Sequence, residues 1–292
     1  MYDIENIVIA KSVPEALAAL AADEKAIVIA GGSDVLIKIR EGKLAGCSLV
    51  SIHGIPALKG VTMEADGTIA IGPGNTFSEV TEHPLIRQYL PALGEAVDQA
   101  GGPQLRNIGT IGGNICNGVT SADSAATLLT LNAQLEITGM SGVRRVRMEE
   151  FYAGPGKVHL AHGELLTKIL VAKADYEGYC GHYIKYAMRN AMDIATLGCA
   201  VHVKLEDGKI ADVRLAFGVA GPVPMRCPAA EKAVLGREPD EETRKLFGQT
   251  ALGEVNPRTS WRASKEFRQQ LVRELPGRAL HQAIINGGGE VQ

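Results

Sequence analysis

Short apolar runs alternate with longer segments of helical spacing in the first part of the chain, which predicts a β-α-β arrangement. Ile7 to Ala10, Ala26 to Ala30 and Ser48 to Ile52 have strand character. Between the first two runs, a serine cap followed by proline and glutamate is typical of a helix N-terminus, and this helix is expected to end near Ala22. These elements predict a small lobe over residues 1–55.

The pattern changes after residue 55, where a hairpin opens a second predicted lobe. Val61 to Met63 and Ile69 to Ile71 flank an Asp-Gly turn, the local sequence that favours a tight hairpin. Ala122 to Leu131 has helical spacing, and Leu165 to Val171 has the character of a buried strand. We therefore expect one domain over residues 1–176, with lobes at about 1–55 and 56–176.

The last third of the chain contains strand-like runs first and helical segments afterwards. The runs are His182 to Ala187, Ala195 to Leu205 and Lys209 to Phe217. The longest helical segment meets a Pro276-Gly277 pair, which is typical of a helix break. Residues 177–292 are therefore predicted as a smaller domain with a three-stranded sheet and helices, and the whole chain as α+β.

Charge and composition exclude several classes of protein. With 30 Lys and Arg against 33 Asp and Glu, the net charge is −3, and the dispersed basic residues argue against nucleic-acid binding. No apolar run reaches the roughly 20 residues needed to span a bilayer, and the N-terminus lacks signal-peptide features. A cytoplasmic protein that does not enter a membrane is expected. Five cysteines without a C-x-x-C pair indicate no iron–sulfur cluster within this chain.

The stretch from Gln104 to Asp123 is the first candidate ligand loop, because it shows no helical or strand period until Ala122. It contains Thr110-Ile111-Gly112-Gly113-Asn114, where paired glycines let a ligand approach the main chain without meeting a Cβ. Successive free N–H groups in such a turn form an anion-binding concavity. The sequence therefore predicts phosphate binding by backbone amides here.

A second loop of the same kind occurs earlier in the chain. In Ile27-Val28-Ile29-Ala30-Gly31-Gly32-Ser33-Asp34, an apolar strand leads into paired glycines and then into two good helix caps. Glycine pairs are also common in ordinary turns, and neither loop matches the G-x-G-x-x-G or Walker A pattern. Each loop alone is therefore compatible with a structural role, whereas the two together indicate a diphosphate ligand.

These loops, with Asp123 nine residues after the second, resemble the FAD-binding subunit of the molybdenum hydroxylases. The resemblance covers nearly the whole chain. Three longer segments are most similar to the bacterial three-subunit xanthine dehydrogenases within that family: Asn114–Gly118, Ala187–Ile194 and Ser260–Arg268. The implied fold is a two-lobed FAD-binding domain of the PCMH (vanillyl-alcohol-oxidase-like) type, followed by a domain resembling the CO dehydrogenase flavoprotein C-terminal domain.

The resemblance also implies roles for individual residues. Both glycine loops would wrap the FAD diphosphate, and Asp123, Leu165 and Lys185 match positions that touch ribityl or flavin atoms. Ile194, next to Asp193, matches a loop beside the isoalloxazine ring. Each has a structural alternative: Asp123 as a helix cap, Leu165 and Ile194 as core residues, and Lys185 as a solvated lysine.

One position departs from the family pattern. Ala100 stands where animal xanthine oxidoreductases carry a phenylalanine stacked on the flavin. The surroundings of the flavin ring, and with them the preferred electron acceptor, are left open by this difference.

The chain shows no catalytic motif of its own, which fits a subunit whose chemistry belongs to a redox cofactor. The resemblance implies electron transfer from [2Fe-2S] clusters in a small partner subunit through FAD to NAD⁺. Molybdopterin and substrate would be bound by a large partner subunit. Xanthine is the implied substrate, and the alternatives are another N-heterocycle, an aldehyde, an aryl-CoA or carbon monoxide. A flavin-free scaffold that docks partner subunits is an alternative of another class.

Overall fold

Two β-α units build the first lobe of the computed structural model, which describes residues 2–289. The elements in chain order are β1 (Ile4–Ile9), α1 (Val13–Ala22), β2 (Ala26–Ile29), α2 (Val35–Arg40) and β3 (Cys47–Ser51). The strands form a parallel sheet in the order β1-β3-β2. Ser12 caps α1 as expected, because its hydroxyl accepts the N–H of Glu15.

The second lobe combines an antiparallel sheet with a group of short helices. Its elements in chain order are β4 (Val61–Met63), β5 (Ile69–Ile71), α3 (Phe77–Glu82), α4 (Pro84–Tyr89), α5 (Pro91–Asp98), α6 (Pro103–Arg106), α7 (Ile111–Cys116), α8 (Asp123–Thr130), β6 (Gln134–Gly139), β7 (Gly142–Arg147), α9 (Met148–Phe151), β8 (Tyr152–Gly154), β9 (Lys157–Val158) and β10 (Glu164–Val171). The five-stranded sheet has the order β4-β5-β10-β6-β7.

Two helices lie in the stretch that the sequence predicted to be irregular until Ala122. The expectation is wrong for α6 and α7, because Pro103 begins the first and a Thr110 cap begins the second. Ile111 and Ile115 on α7 are fully buried in the main hydrophobic cluster. Packing of these two side chains therefore stabilises a short helix despite the two glycines inside it.

The remaining residues form an antiparallel sheet covered by three helices. Their elements are β11 (Cys180–Tyr186), β12 (Leu197–Glu206), β13 (Lys209–Gly218), β14 (Met225–Arg226), α10 (Pro228–Val234), α11 (Glu241–Leu252) and α12 (Lys265–Asn286). The sheet order is β11-β12-β13-β14, so a fourth, two-residue strand joins the three predicted ones. The α+β class predicted from the sequence is confirmed.

The predicted break at Pro276-Gly277 is wrong, since α12 continues through both residues. A Cβ at Gly277 would lie 3.1 Å from the Arg244 Cβ, and one at Gly248 would lie 1.9 Å from the carbonyl oxygen of Arg273. The two glycines thus let α11 and α12 approach closely. This packing outweighs the hydrogen bond lost at the proline.

Four hydrophobic clusters hold these layers together, and the smallest contains Ile39 on α2. The main cluster lies against the five-stranded sheet and includes α8, all eight residues of which are buried. A second lies between the C-terminal sheet and its helices, and a third lies under α1 in the first lobe. Because α8 also packs against β12 and β13, it connects the second lobe with the C-terminal sheet. No helix of residues 2–289 is long and apolar enough to cross a membrane.

Candidate functional site

The first glycine loop leaves β2 and enters α2 with its amides unused. Gly32 has a φ of +77°, a conformation that glycine adopts without strain. Within residues 2–289, the N–H groups of Gly31, Gly32, Ser33 and Asp34 donate to no protein acceptor. Four successive free donors ahead of a helix form the kind of cradle that binds an anion.

The first loop touches the segment that leads into the second. A Cβ at Gly31 would lie 1.9 Å from the carbonyl oxygen of Ile108, so only glycine permits this approach. Nearby, the Lys38 ammonium donates to Asn117 Oδ1 at 2.7 Å. The structure therefore brings the two predicted loops together, although about 80 residues separate them along the chain.

The second loop does not offer the free amides that the sequence predicted. Its N–H groups are used inside the protein: Ile111 donates to Asn75 O at 3.0 Å, Gly112 to Pro73 O at 2.9 Å, Gly113 to Thr110 Oγ1 at 3.1 Å and Asn114 to Thr110 O at 3.0 Å. The physical reason is that the segment forms the first turn of α7 and packs on residues 73–75. The four N–H groups from Ile111 to Asn114 are therefore not free for an anion, and binding of a ligand by Thr110–Asn114 stays a prediction.

The two glycines of the second loop have different surroundings. A Cβ at Gly112 would lie 2.5 Å from the Pro73 Cβ and 2.7 Å from the Pro73 carbonyl oxygen. Gly113 is exposed, and a Cβ there would meet only Thr110 Oγ1, at 3.0 Å. Gly112 is thus required for backbone packing, whereas Gly113 lies on the open side of the loop.

Asn114 connects the second loop to the start of α8. Its Oδ1 accepts the Ser124 hydroxyl at 2.7 Å and the Ser124 N–H at 3.3 Å. Asp123, the residue before, is therefore held in a fixed relation to the loop. It lies in the first turn of α8, where a carboxylate is favoured by the helix dipole.

Asp123 forms an ion pair with Lys185 from β11, and both side chains are almost completely buried. Asp123 Oδ2 accepts from Lys185 Nζ at 3.0 Å, and Oδ1 accepts from the Tyr183 hydroxyl at 3.1 Å. Lys185 also donates to the Gln99 carbonyl oxygen at 2.9 Å. Burial raises the pKa of Asp123, and Lys185 and Tyr183 oppose that rise.

This pairing changes what Lys185 offers to a ligand. An ammonium has three N–H donors, and two of them are used by Asp123 and Gln99. One donor is left, and the positive charge lies beside a carboxylate. Lys185 is therefore neither the solvated lysine of the structural alternative nor an isolated cation.

A cavity of about 320 Å³ adjoins Lys185, lined also by Gln99 and by residues 186, 187 and 189–193. The wall of this cavity is a loop in which the Asp193 carboxylate accepts the N–H groups of Arg189 and Ile194, at 3.1 Å and 2.9 Å. Ile194 is 48% exposed, so its side chain is not a core residue. A larger cavity of about 680 Å³ lies elsewhere and is lined by none of the predicted site residues.

The other predicted side chains pack inside the protein. Leu165 is 2% exposed in the cluster under α1, and Val28 packs against the same cluster. Ile27 and Ile29 pack on the opposite side, against the cluster that contains Ile39. These four side chains have the surroundings of packing residues.

Ala100 is 4% exposed and belongs to the main cluster. Its side chain therefore points into the core. This packing does not favour a contact between Ala100 and a flavin ring.

Two groups at the site were missed by sequence reasoning. Tyr183 donates to Asp123, and burial followed by the Asp123 charge raises the pKa of this phenol well above its usual value. Its position two residues before Lys185 on one strand places both side chains on the same face, which was a usable signal. The Gln99 carbonyl has no comparable signal, since its role depends on a tertiary contact.

The anion cradle of the first loop contacts the segment at Ile108, and the second loop that follows this segment is hydrogen-bonded to α8, which carries the buried carboxylate of the Asp123–Lys185 pair. This arrangement lies in a two-lobed fold followed by a C-terminal α+β layer. Residues 3–173 match the model of the FAD binding domain in molybdopterin dehydrogenase, and residues 182–283 match the CO dehydrogenase flavoprotein C-terminal domain. The chain belongs to the FAD-binding subunits of the molybdenum hydroxylase family. FAD as its cofactor is thereby confirmed, and partner subunits with molybdopterin and iron–sulfur groups are typical of this family.

Individual relatives and a solved structure support the assignment to this family. The chain is 41% identical over 292 residues to the putative xanthine dehydrogenase FAD-binding subunit of Escherichia coli (strain K12), with 100% of both chains covered. It is 30% identical to the glyceraldehyde dehydrogenase medium chain of Sulfolobus acidocaldarius, over 96% of this chain and 99% of the other. A solved structure of carbon monoxide dehydrogenase from Hydrogenophaga pseudoflava superposes with a TM-score of 0.93 at 28% identity, covering 98% and 99% of the two chains.

Proposed function

We propose that this chain is the FAD-binding subunit of a xanthine dehydrogenase that passes electrons to NAD⁺. The full-length identity of 41% to relatives named as xanthine dehydrogenase subunits supports the substrate. Relatives named for glyceraldehyde, nicotinate or carbon monoxide are 28–30% identical. When bound, FAD supplies electron exchange between [2Fe-2S] clusters of the small partner subunit and NAD⁺, while the large subunit holds molybdopterin.

The observation that carries FAD binding by this chain is the set of free N–H groups from Gly31 to Asp34. They fit a diphosphate, because successive amides at a helix start donate to anionic oxygens without a lysine. In this proposal the first loop binds the diphosphate, and Ile27 to Ala30 position it through packing. The second loop shapes the other wall, with Gly113 as its open position.

The ion pair of Asp123 and Lys185 would hold the ribityl and flavin end. Asp123 offers acceptor oxygens for hydroxyl groups, and Lys185 keeps one N–H for a flavin acceptor atom. In this proposal Leu165 supports the site by packing in the core, and Ile194 lies next to the flavin ring, at the end of the loop that borders the cavity. Because Asp123 offsets the charge of Lys185, a negative flavin is stabilised less than it would be by a lone cation.

A related hydroxylase with another substrate is the second candidate. It is favoured by the 30% identity over nearly the whole length to a glyceraldehyde dehydrogenase medium chain. In this family arrangement the substrate would be chosen in the large subunit, so the present chain would be nearly the same in either case.

The test separates the flavin chemistry of this chain from the hydroxylation. The purified full-length chain, loaded with FAD, should oxidise NADH with an artificial dye and should not oxidise xanthine. Addition of the two partner subunits should produce xanthine-dependent reduction of NAD⁺, and glyceraldehyde and nicotinate serve as matched substrates.

Three results would contradict the proposal. A chain that binds no FAD favours the docking scaffold, and one that binds FAD but does not react with NADH excludes NAD⁺ as acceptor. A complete complex that oxidises glyceraldehyde or nicotinate but not xanthine supports the second candidate.

A further inference from the structure

The two ends of α8 are held by charged side chains from the C-terminal sheet. At its first residue, Asp123 pairs with Lys185 of β11 at 3.0 Å. At its last turn, the carbonyl oxygens of Leu129 and Thr130 accept hydrogen bonds from arginines of β14 and β13. The helix is eight residues long and buried throughout, so its ends are rigidly connected.

Arg226 is the arginine at Leu129. Its Nη1 donates to the Leu129 carbonyl oxygen at 3.1 Å and to Asn132 Oδ1 at 2.7 Å. Its Nε and Nη2 form a two-pronged pair with Glu231, at 2.6 Å and 2.8 Å. The side chains of Arg226 and Glu231 are 17% and 13% exposed, so Glu231 fixes the guanidinium in place.

Arg214 acts in the same way at Thr130. Its Nη1 donates to the Thr130 carbonyl oxygen at 3.2 Å and lies 3.0 Å from Asp175 Oδ1. Its guanidinium carbon lies 4.3 Å from the ring centre of Tyr179. Two cations therefore occupy the C-terminal end of α8, where carbonyl groups lack helical partners and the dipole favours positive charge.

We propose that Arg226 and Arg214 are positioning residues of the flavin site, acting through α8 on Asp123. The inference rests on the proposed contact between Asp123 and FAD. A short buried helix moves as a unit, so fixing its carbonyl end fixes the carboxylate at its first residue. The hydrogen bonds from Ser124 to Asn114 carry the same position to the second loop. Neither arginine needs to reach the cofactor.

The test removes the Arg226–Glu231 pair together, as Arg226→Met/Glu231→Gln, so that no buried charge is left alone. The matched control is Arg237→Met/Glu242→Gln, another arginine and glutamate five residues apart, whose side chains are 45% and 84% exposed. In the full-length chain, three quantities are measured: the Kd for FAD, the visible circular dichroism of bound FAD, and hydrogen exchange of α8 amides without FAD.

We expect the Kd for FAD to rise about tenfold in the test variant. The reason is that α8 loses a partly buried cation at its C-terminal end and holds Asp123 less firmly. The visible circular dichroism should change, and α8 amides should exchange faster before any FAD is added. The control variant should stay within about twofold of wild type. Arg226→Lys, which keeps the charge, should recover most of the affinity.

Unchanged Kd, visible spectrum and α8 exchange in a folded test variant would overturn the inference. If the double variant does not fold, Arg226→Lys is used as the test variant. An affinity for FAD below half that of wild type, with α8 amides that exchange no faster than in wild type, would then also overturn the inference. Asp123→Asn is measured in parallel. If Asp123→Asn leaves FAD affinity and the visible spectrum unchanged, the proposed contact between Asp123 and FAD is wrong. If Asp123→Asn changes both and the Arg226–Glu231 variant changes neither, only the positioning role is wrong.

Discussion

The two glycine loops look equivalent in sequence and differ in their hydrogen bonding. Gly31-Gly32-Ser33-Asp34 keeps its N–H groups free among the described residues, whereas the N–H groups from Ile111 to Asn114 are all bonded within the protein. In the first loop, Gly32 has a positive φ. In the second, Gly112 packs directly on Pro73.

The difference shows that a pair of glycines has two separable uses. One is to expose the backbone, which makes N–H groups available to a ligand. The other is to remove a side chain so that two backbones can approach, which uses those N–H groups internally. Which use applies depends on the acceptors nearby, here the carbonyl groups of Pro73 and Asn75.

The largest effect expected from this comparison is on stability, in the second loop. Gly112→Val should lower the free energy of unfolding by about 3 kcal/mol, because its Cβ would overlap the backbone of Pro73. Urea unfolding, followed by far-UV circular dichroism, measures the change.

Gly113→Ala is the matched control, since its Cβ would meet only the Thr110 hydroxyl. It should cost less than about 1 kcal/mol. Equal losses in the two variants would show that Gly112 has no special packing role, and the distinction between the loops would disappear.

Local sequence signals were sufficient for much of the fold. The hairpin strands β4 and β5 have the predicted bounds, because an Asp-Gly turn fixes both register and ends locally. The unbroken α12 and the two-residue β14 were missed. The first depends on a tertiary contact, in which Gly248 and Gly277 let two helices pack closely. The second has only two residues, too few for an alternating pattern, and pairs with Ala216 and Phe217 of the preceding strand.

Only part of the candidate site was predictable, because local sequence marks the glycine loops but not the tertiary contacts they make. Paired glycines mark positions where a backbone is approached, but the sequence does not show whether a ligand or Pro73 makes that approach. Asp123 and Lys185 lie 62 residues apart, and their contact was not predicted: the resemblance to a family implied only that each touches ribityl or flavin atoms. The Gln99 carbonyl, which shares Lys185, carries no mark in the sequence.

Low pH should destabilise the protein through His202, which lies at the C-terminal end of α8. His202 is buried, and its Nδ1 lies 2.9 Å from Thr130 Oγ1. Burial, together with Arg214 and Arg226, lowers the pKa of His202 to about 3. The unfolded chain binds this proton near pH 6.5 and the folded chain does not, so the stabilisation is complete above pH 6.5 and is lost as the pH falls towards 3.

The free energy of unfolding should therefore fall by about 1.4 kcal/mol per pH unit more steeply in wild type than in His202→Asn, between pH 5.5 and pH 4. Asparagine keeps a polar group near the Nδ1 position and does not titrate. Urea unfolding at several pH values measures both slopes. Parallel slopes for the two proteins would show that His202 is protonated without cost in the folded state.

The smallest expected effects give the sharpest separation of the two loops. Thr110→Val removes the hydroxyl that accepts the Gly113 N–H and caps α7, so it should cost about 1 kcal/mol of stability. Ser33→Ala removes a hydroxyl that makes no hydrogen bond within residues 2–289, so stability should change by less than about 0.5 kcal/mol.

Ser33→Ala should weaken FAD binding more than Thr110→Val does, which is the reverse of their order in stability. If the first loop binds the diphosphate, Ser33→Ala removes a hydrogen-bond donor beside it, and the Kd for FAD should rise about fivefold, equivalent to about 1 kcal/mol. Thr110→Val should raise the Kd less than about twofold, because the second loop offers shape rather than donors. Fluorescence titration with FAD and urea unfolding on the same preparations give both quantities for each variant. A Thr110→Val chain that loses FAD while Ser33→Ala binds it normally would assign the diphosphate to the second loop, and the free amides of the first would then need another ligand.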